Sequence, residues 1–382
     1  MKKVITRRDL GLAALAASTL TQVDGQSANQ ATEAQMPPAP SLEGLDPVAW
    51  TMAQYSDAPL RLTFRAKDKA ELEAWQTALR EKLIELLGGF PRRSPLQART
   101  IDVRHFPQYS REQFVFESRP GVTVMGYLLV PVNAGKPCPT VICVPGHGRG
   151  VDDIVGIDEH GRDRTDKPGY QHDFAIQAVE HGLAAVAIEP MAFGHRRDAI
   201  TIAKGPTESA CQPTAGSAVL MGQTMIGWRV WDAMRAVDWV EIRPELDHAR
   251  VGCMGISGGG TCTLFTAALD TRIKVAFVSG YLNTFRASIM SVSHCIDNYV
   301  PGILQWAENY DVAGLIAPRF FFSEGGNKDR IFPVQATVES FERVKKVYAL
   351  CGSPEKAQQE IFDGGHEFHG KQGLPFLTRA LA

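Results

Sequence analysis

The chain has no uncharged apolar run of the ~18 residues that a membrane-spanning helix requires. It has no excess of one charge: Lys+Arg is 40 and Asp+Glu is 42, giving a formal charge of -2. That balance excludes a chain built to hold nucleic acid by electrostatics, so no nucleic-acid partner is expected. Internal repeats, collagen-like periodicity and heptads are absent. Among the 7 cysteines there is no C-x-x-C pair, and the count is odd, so at least one thiol stays unpaired within the chain. Cys143, Cys253 and Cys262 lie in apolar surroundings and read as small core residues, not metal ligands. There is neither a G-x-x-x-x-G-K-[ST] phosphate loop nor a G-x-G-x-x-G after a first strand. What remains is an ordinary globular composition, 44% hydrophobic and 21% charged in 382 residues, enough for a large α/β domain.

The first residues read as a leader. Lys2, Lys3, Arg7 and Arg8 form a basic segment, and Leu10 to Gln22 carries no charge. The run Thr6-Arg7-Arg8-Asp9-Leu10-Gly11 resembles a bacterial twin-arginine export signal. The organisation expected is a signal peptide over 1–31, a linker over 32–46 containing Met36-Pro37-Pro38-Ala39-Pro40, and one catalytic domain over 47–382 with a helical extension over 47–95. The location expected is periplasmic or extracellular, with no stable membrane span once the leader is removed.

Within the domain, Leu72, Trp75, Leu79, Leu83 and Leu86 recur at helical spacing until Gly88-Gly89. Two strands follow around Phe114–Phe116 and Val122–Val130, joined through Gly121. From Val141 the pattern alternates: short apolar strands at 141–144, 184–188, 250–254, 275–279, 318–323 and 359–362, with helices between them at 174–181, 228–240, 258–269 and 333–350. Near-continuous apolar strands separated by helices predict a mostly parallel twisted sheet with helices on both faces. The intervals 150–172, 194–226 and 282–314 follow strand ends, where such a sheet presents its ligand crevice, and are expected to be active-site loops or a small cap.

The chemistry-bearing string is Gly255-Ile256-Ser257-Gly258-Gly259. It stands between an apolar strand and a helix-compatible run, as a nucleophile elbow requires. Side chains at 255 or 259 would collide with the neighbouring helix or strand, and the helix N-terminus favours developing negative charge. A glycine-rich β-to-α turn with no catalytic role is the competing reading. His147-Gly148-Arg149-Gly150 ends an earlier strand, where oxyanion donors are expected; the N–H groups of Arg149 and Gly258 are the expected pair. After the last strand, His366 in a glycine-rich turn is the expected base, with His369 as rival. After the aromatic strand, Asp329 is the expected acid, with Glu324 as rival. For the substrate pocket, Tyr170 and Trp306 are candidates, and Arg196 or Arg197 are candidates for an acidic sugar carboxylate. For both arginines, an ion pair pinning the loop is the competing reading.

With Ser257, Asp329 and His366 in this chain order, the sequence resembles the α/β-hydrolase superfamily, in its dienelactone-hydrolase-like and acetyl-xylan-esterase-like branch. The strings that carry the likeness are Phe116-Glu117-Ser118-Arg119-Pro120-Gly121, Val144-Pro145-Gly146-His147-Gly148-Arg149-Gly150, Met221-Gly222-Gln223-Thr224, Trp228-Arg229-Val230-Trp231-Asp232 and the elbow itself. The nucleophile is Ser where dienelactone hydrolases proper use Cys. Arg149 and Gly258 stand where acetyl-xylan esterases of the cephalosporin-deacetylase type have Tyr and Gln. The resemblance implies an α/β-hydrolase fold and a secreted serine ester hydrolase that removes acetyl or other short acyl groups from carbohydrate. It requires no cofactor and no metal, and its partner is a small-molecule or polysaccharide ester. The alternatives are a serine peptidase of the same fold, against which the lack of a propeller or large gating insertion argues, and a non-catalytic binding protein.

Overall fold

The computed structural model describes residues 46–382; the expected leader, and the expected linker up to residue 45, lie outside the described residues. Asp46–Ala382 form one compact unit. The chain enters through helix α1 (Pro47–Ser56), capped by the Asp46 carboxylate, and α2 (Lys69–Leu86), capped by Asp68. The leucine and tryptophan stripe of α2 is buried: Leu79 and Leu83 are fully inaccessible, each such side chain contributing about 2 kcal/mol of transfer free energy. Trp75 Nε1 donates to Leu62 O at 2.7 Å and Gln76 Nε2 to Ala317 O at 2.8 Å, so polar groups carried inward by the stripe find partners. Gly88 and Gly89, both at positive φ, end the helix.

A nine-stranded sheet follows, in the order β1-β2-β3-β5-β4-β6-β7-β8-β9. The strands β1 (Arg99–His105), β2 (Tyr109–Arg119) and β3 (Val122–Pro131) form an antiparallel meander. β4 (Cys138–Val144), α3 (Phe174–Glu180) and β5 (Ala184–Ile188) come next. Then α4 (Ala199–Lys204), α5 (Cys211–Leu220) and α6 (Met225–Glu241) precede β6 (Leu246–Ile256) and α7 (Gly258–Leu269). The chain ends with β7 (Ile273–Ser279), α8 (Asn309–Gly314), β8 (Phe320–Gly326), α9 (Val334–Leu350), β9 (Ala357–Phe362) and α10 (Gly373–Ala380). From β5 across to β9 every pairing is parallel. Ala184–Ile188 is buried throughout, as a strand covered by helices on both faces must be.

The sheet core is divided by its own plane. Ile142, Val186, Cys253 and Ala276 face the side covered by α2, α6 and α7, whereas Val141, Cys143, Met254 and Phe277 face α3 and α10. Chain order reverses beside β4: the chain passes from β4 to β5 on one side and reaches β6 on the other. The carboxyl ends of β4 and β6 lie side by side there, with Val144 paired to Gly255. This is the topological switch point, where an open α/β sheet leaves a crevice.

Candidate active site

Ser257 stands alone between β6 and α7, at φ 57° and ψ -122°. A non-glycine residue adopts that conformation only where its surroundings impose it. Here the surroundings are backbone. A Cβ on Gly259 would lie 1.9 Å from Val144 O, and one on Gly255 would lie 2.5 Å from the same oxygen and 2.6 Å from Gly259 C. The two glycines thus let the strand-to-helix turn press against the end of β4. Ser257 N–H donates to Ser279 O at 3.1 Å, which ties the turn to β7. The serine itself is 9% exposed and opens on a cavity of about 410 Å³.

His366 lines the same cavity. Its Nδ1 donates to Asp329 Oδ2 at 2.7 Å, and its Nε2 has no hydrogen-bond partner, Ser257 included. The imidazole lies between two aromatic rings, Tyr170 and Phe332, each at a centroid distance of 5.6 Å and nearly parallel to it. Gly280, at φ +50°, gives it room: a Cβ there would lie 3.0 Å from His366 Cε1. Asp329 is fixed in turn, because its Oδ1 accepts the N–H groups of Ile331 at 2.8 Å and Phe332 at 3.0 Å. The two rivals are placed elsewhere. Glu324, buried near the carboxyl end of β8, accepts from Ser279 Oγ and from the His369 and Gly370 amides; burial pushes its pKa up to about 7. The His369 ring stacks on Phe362 at 4.5 Å and faces Glu360 at 3.1 Å.

The rest of the cavity wall comes from the loop after β4 and from two of the three long intervals. Tyr170 Oη donates to His147 O at 2.6 Å. Val292, Ser293, His294 and Cys295 also line the cavity. Gly146 packs against the nucleophile, where a Cβ would lie 3.2 Å from Ser257 Cβ, and the His147 ring lies 3.3 Å from the position of a Cβ on Gly258. Gly258 opens α7, so its N–H has no acceptor within the helix.

Arg149 requires a correction. Its N–H donates to Asp153 Oδ2 at 2.8 Å, and its guanidinium pairs with Asp153 and reaches Ile157 O at 2.9 Å. The amide expected to hold an oxyanion is therefore occupied inside its own loop. Glu189 secures the same loop from below: it accepts the Val151 and His195 amides, and burial raises its pKa to about 7. Arg196 and Arg197 follow the loop-pinning alternative. Arg196 donates to Asp232 and to Glu189 O, and Arg197 to the carbonyls of Gly194, Gly205 and Glu208. Trp306 lies outside the cavity: its carbonyl accepts Leu62 N–H, and Arg61 and Lys82 sit over its ring. Of the four pocket candidates, only Tyr170 lines the cavity. The charges of 150–172 do not line it either; among them Asp163 pairs with Arg111 of β2, Asp158 with Arg162 and Arg164 with Asp173.

A buried cluster behind His147 had no signal in the sequence. Arg229, on α6, donates to Asp297 and to Met191 O, and its guanidinium stacks on Phe193 at 4.1 Å. Asp297 Oδ2 lies 3.4 Å from His147 Nε2. Burial opposes the charged form of His147, but Asp297 and Cys211 outweigh it and leave the pKa raised.

Comparison with known proteins places the chain in a family. The Bacillus subtilis (strain 168) protein YtaP, named as a hydrolase, is 27% identical over 281 residues, covering 72% of this chain and 88% of that protein. Among solved structures, Bacteroides fragilis BF1801, described as an acetyl xylan esterase, superimposes with a TM-score of 0.71 at 20% identity, covering 83% of this chain and 82% of that one. A glucuronoyl esterase from Solibacter usitatus gives 0.62 at 15% identity, covering 85% and 97%. The structural likenesses establish the α/β-hydrolase fold. Residues 56–364 match the model of the Abhydrolase family, and the chain belongs to that family.

Proposed function

We propose that the protein is a serine carboxylic-ester hydrolase acting through Ser257, His366 and Asp329. The observation that carries this reading is the 2.7 Å Asp329–His366 bond. It leaves Nε2 of His366 as the free nitrogen in the cavity that Ser257 opens on. In this mechanism Nε2 takes the Ser257 proton as Oγ attacks the ester carbonyl, and Asp329 holds the imidazole in the tautomer that permits it. The serine–histidine bond is not made in this structure and is often loose before substrate binds. The oxyanion is held by the Gly258 N–H and, in place of Arg149, by the N–H of His147, which follows Gly146 in the loop that packs against Ser257. His366 then protonates the leaving alcohol, and water hydrolyses the acyl-enzyme by the same route.

The substrate proposed is a short acyl ester of a carbohydrate alcohol, acetate first. A cavity of about 410 Å³, with His147, Tyr170, Ser293 and His294 among its walls, suits a small acyl group and offers hydrogen-bond partners to sugar hydroxyls. Export from the cell belongs to the same proposal and rests on residues 1–31. The test combines fluorophosphonate labelling, mapped to the modified residue, with kcat/KM over acetate, butyrate, octanoate and palmitate esters, a peptide amide, and acetate release from acetylated xylan or pectin. Label on Ser257, acetate preference and acetate release from polysaccharide are expected. Preference for octanoate or longer with no sugar deacetylation overturns the substrate, and cleavage of the amide in preference to esters overturns the reaction class.

A further inference from the structure

Behind the cavity wall two thiols face each other across 84 residues of sequence. Cys211 is the first residue of α5 and is buried; Cys295 is half-buried in the loop that forms the wall. Their sulfurs lie within 4.8 Å of each other. Cys211 is not an inert core thiol. Its sulfur lies 3.4 Å from Arg229 Nη2, 3.7 Å from His147 Nε2 and 3.8 Å from Asp297 Oδ2. The Cys295 thiol, then His147 and the Arg229 guanidinium, hold its pKa below the ordinary thiol value against the cost of burial, which favours the thiolate. The pair is reachable from two sides: Cys295 lines the catalytic cavity, and both sulfurs' residues line an adjoining cavity of about 630 Å³. No other cysteine has this setting. Cys143, Cys253 and Cys262 are buried in the core with raised pKa values, Cys138 is buried at the start of β4, and Cys351 lies at the end of α9.

The geometry points to Cys211 and Cys295 as a redox pair that closes to a disulfide in the folded protein, stapling α5 to the wall of the catalytic cavity. The Cys211 thiolate attacks one sulfur of a small disulfide such as oxidised glutathione, and the reagent's S–S bond breaks with one thiolate leaving. Cys295 then loses its proton and attacks the Cys211 sulfur of the mixed disulfide, forming the intramolecular bond and expelling the second thiolate. Two protein thiols are oxidised and one disulfide is reduced to two thiols. The expected twin-arginine route would deliver both thiols already juxtaposed to an oxidising compartment. A divalent cation is the rival occupant, since His147, Cys211, Cys295 and Asp297 offer four donors together. It would have to displace Arg229, whose guanidinium already pairs with Asp297 and Cys211, and would then sit beside that fixed positive charge.

The thiol chemistry is independent of the ester-hydrolase reading, and its test does not use activity. Reduced full-length protein is incubated with oxidised glutathione, alkylated in denaturant, digested and mapped by mass spectrometry. A linked Cys211–Cys295 peptide, returned to free thiols by dithiothreitol, is expected. In Cys295→Ser the reaction should stop at Cys211 carrying one glutathione, because no second thiol is there to resolve it. Absence of the linked peptide, or linkage of either residue to another cysteine, overturns the proposal. So does retention of one equivalent of zinc after dialysis by the reduced wild type but not by Cys295→Ser, with both thiols protected from glutathione; that result would assign the cluster to a cation.

Discussion

Asp329 reaches the imidazole of His366 at 2.7 Å from a turn five residues beyond Glu324, the carboxylate near the carboxyl end of β8. The two acids have different occupations. Asp329 gives one oxygen to His366 and the other to two backbone amides of its own turn. Glu324 spends both oxygens on Ser279 and on the amides of residues 369 and 370. Asp329→Asn should therefore lower kcat on a chromogenic acetate by roughly 10⁴-fold, since the amide presents the wrong group to Nδ1. Glu324→Gln should lower kcat far less. A larger kcat loss in Glu324→Gln would move the acid to the strand end.

That contrast also shows what the sequence could and could not convey. The parallel strands were legible because strands buried on both faces are apolar throughout, as at Ala184–Ile188. The elbow was legible because its sterics demand glycine at 255 and 259. β1 was missed because Arg99–His105 is an exposed edge strand with charges on it, so burial writes no alternation into it. α5 was missed because Cys211–Leu220 has little amphipathic contrast and begins inside a long interval. The Arg149 assignment failed for a different reason. Which amide of a glycine-rich loop stays free depends on where Asp153 puts its carboxylate, and spacing alone does not carry that. The cluster of Arg229, Asp297, His147 and Cys211 joins four distant segments, which no local pattern announces.

Ser257→Ala should abolish turnover while the fold persists. The methyl group is smaller than the hydroxymethyl it replaces, and the φ of 57° is set by surrounding backbone, not by the hydroxyl. A loss of at least ~10³-fold in kcat is expected, with residual rate from the oxyanion donors. Urea titration should give a midpoint close to wild type. Near-normal activity in a folded variant would remove Ser257 from the mechanism.

The elbow glycines make a separate prediction about stability. In Gly259→Ala the new methyl would sit 1.9 Å from Val144 O, where neither partner can yield because one is backbone at the end of β4 and the other lies in the first turn of α7. The variant should lose about 4 kcal/mol or more, at the upper end of single-site effects. Gly135→Ala is the matched control: it is exposed, and a Cβ there meets nothing within 4 Å. Its unfolding midpoint should match wild type to within about 0.5 kcal/mol. Equal stability of the two variants would contradict the packing described for the elbow.

Gly280 is a positioning residue for His366. At φ +50° an alanine is strained, and its Cβ would lie 3.0 Å from Cε1 and 3.2 Å from Nδ1 of the imidazole. Gly280→Ala should destabilise the protein by about 1–2 kcal/mol through the left-handed backbone. It should also displace the ring, lowering kcat on the order of 10²-fold while KM stays near wild type. A purely structural role would leave the kcat of the folded fraction unchanged, so active-site titration separates the two. Full kcat per titrated site would show that His366 does not need the space.

Glu324 supplies the last prediction, on pH. Its pKa is raised to about 7 in the folded protein from 4.5, chiefly by burial. Between those values the folded state keeps a proton that the unfolded chain has released. The group's contribution to stability is therefore fully present below about pH 4.5 and declines as pH rises through 7. At 1.36 kcal/mol per pK unit, the decline is about 3 kcal/mol at most. Other groups titrate in the same window, among them Glu189 and Glu308, both also near pH 7. The clean measurement is thus a difference. Unfolding free energies of wild type and Glu324→Gln should be compared by urea titration from pH 5 to pH 8. The variant, whatever fixed offset its amide introduces, should lose less stability over that range than wild type. Parallel curves for the two proteins would mean that Glu324 is ionised throughout, its charge carried by the Ser279 hydroxyl and the two amides that donate to it.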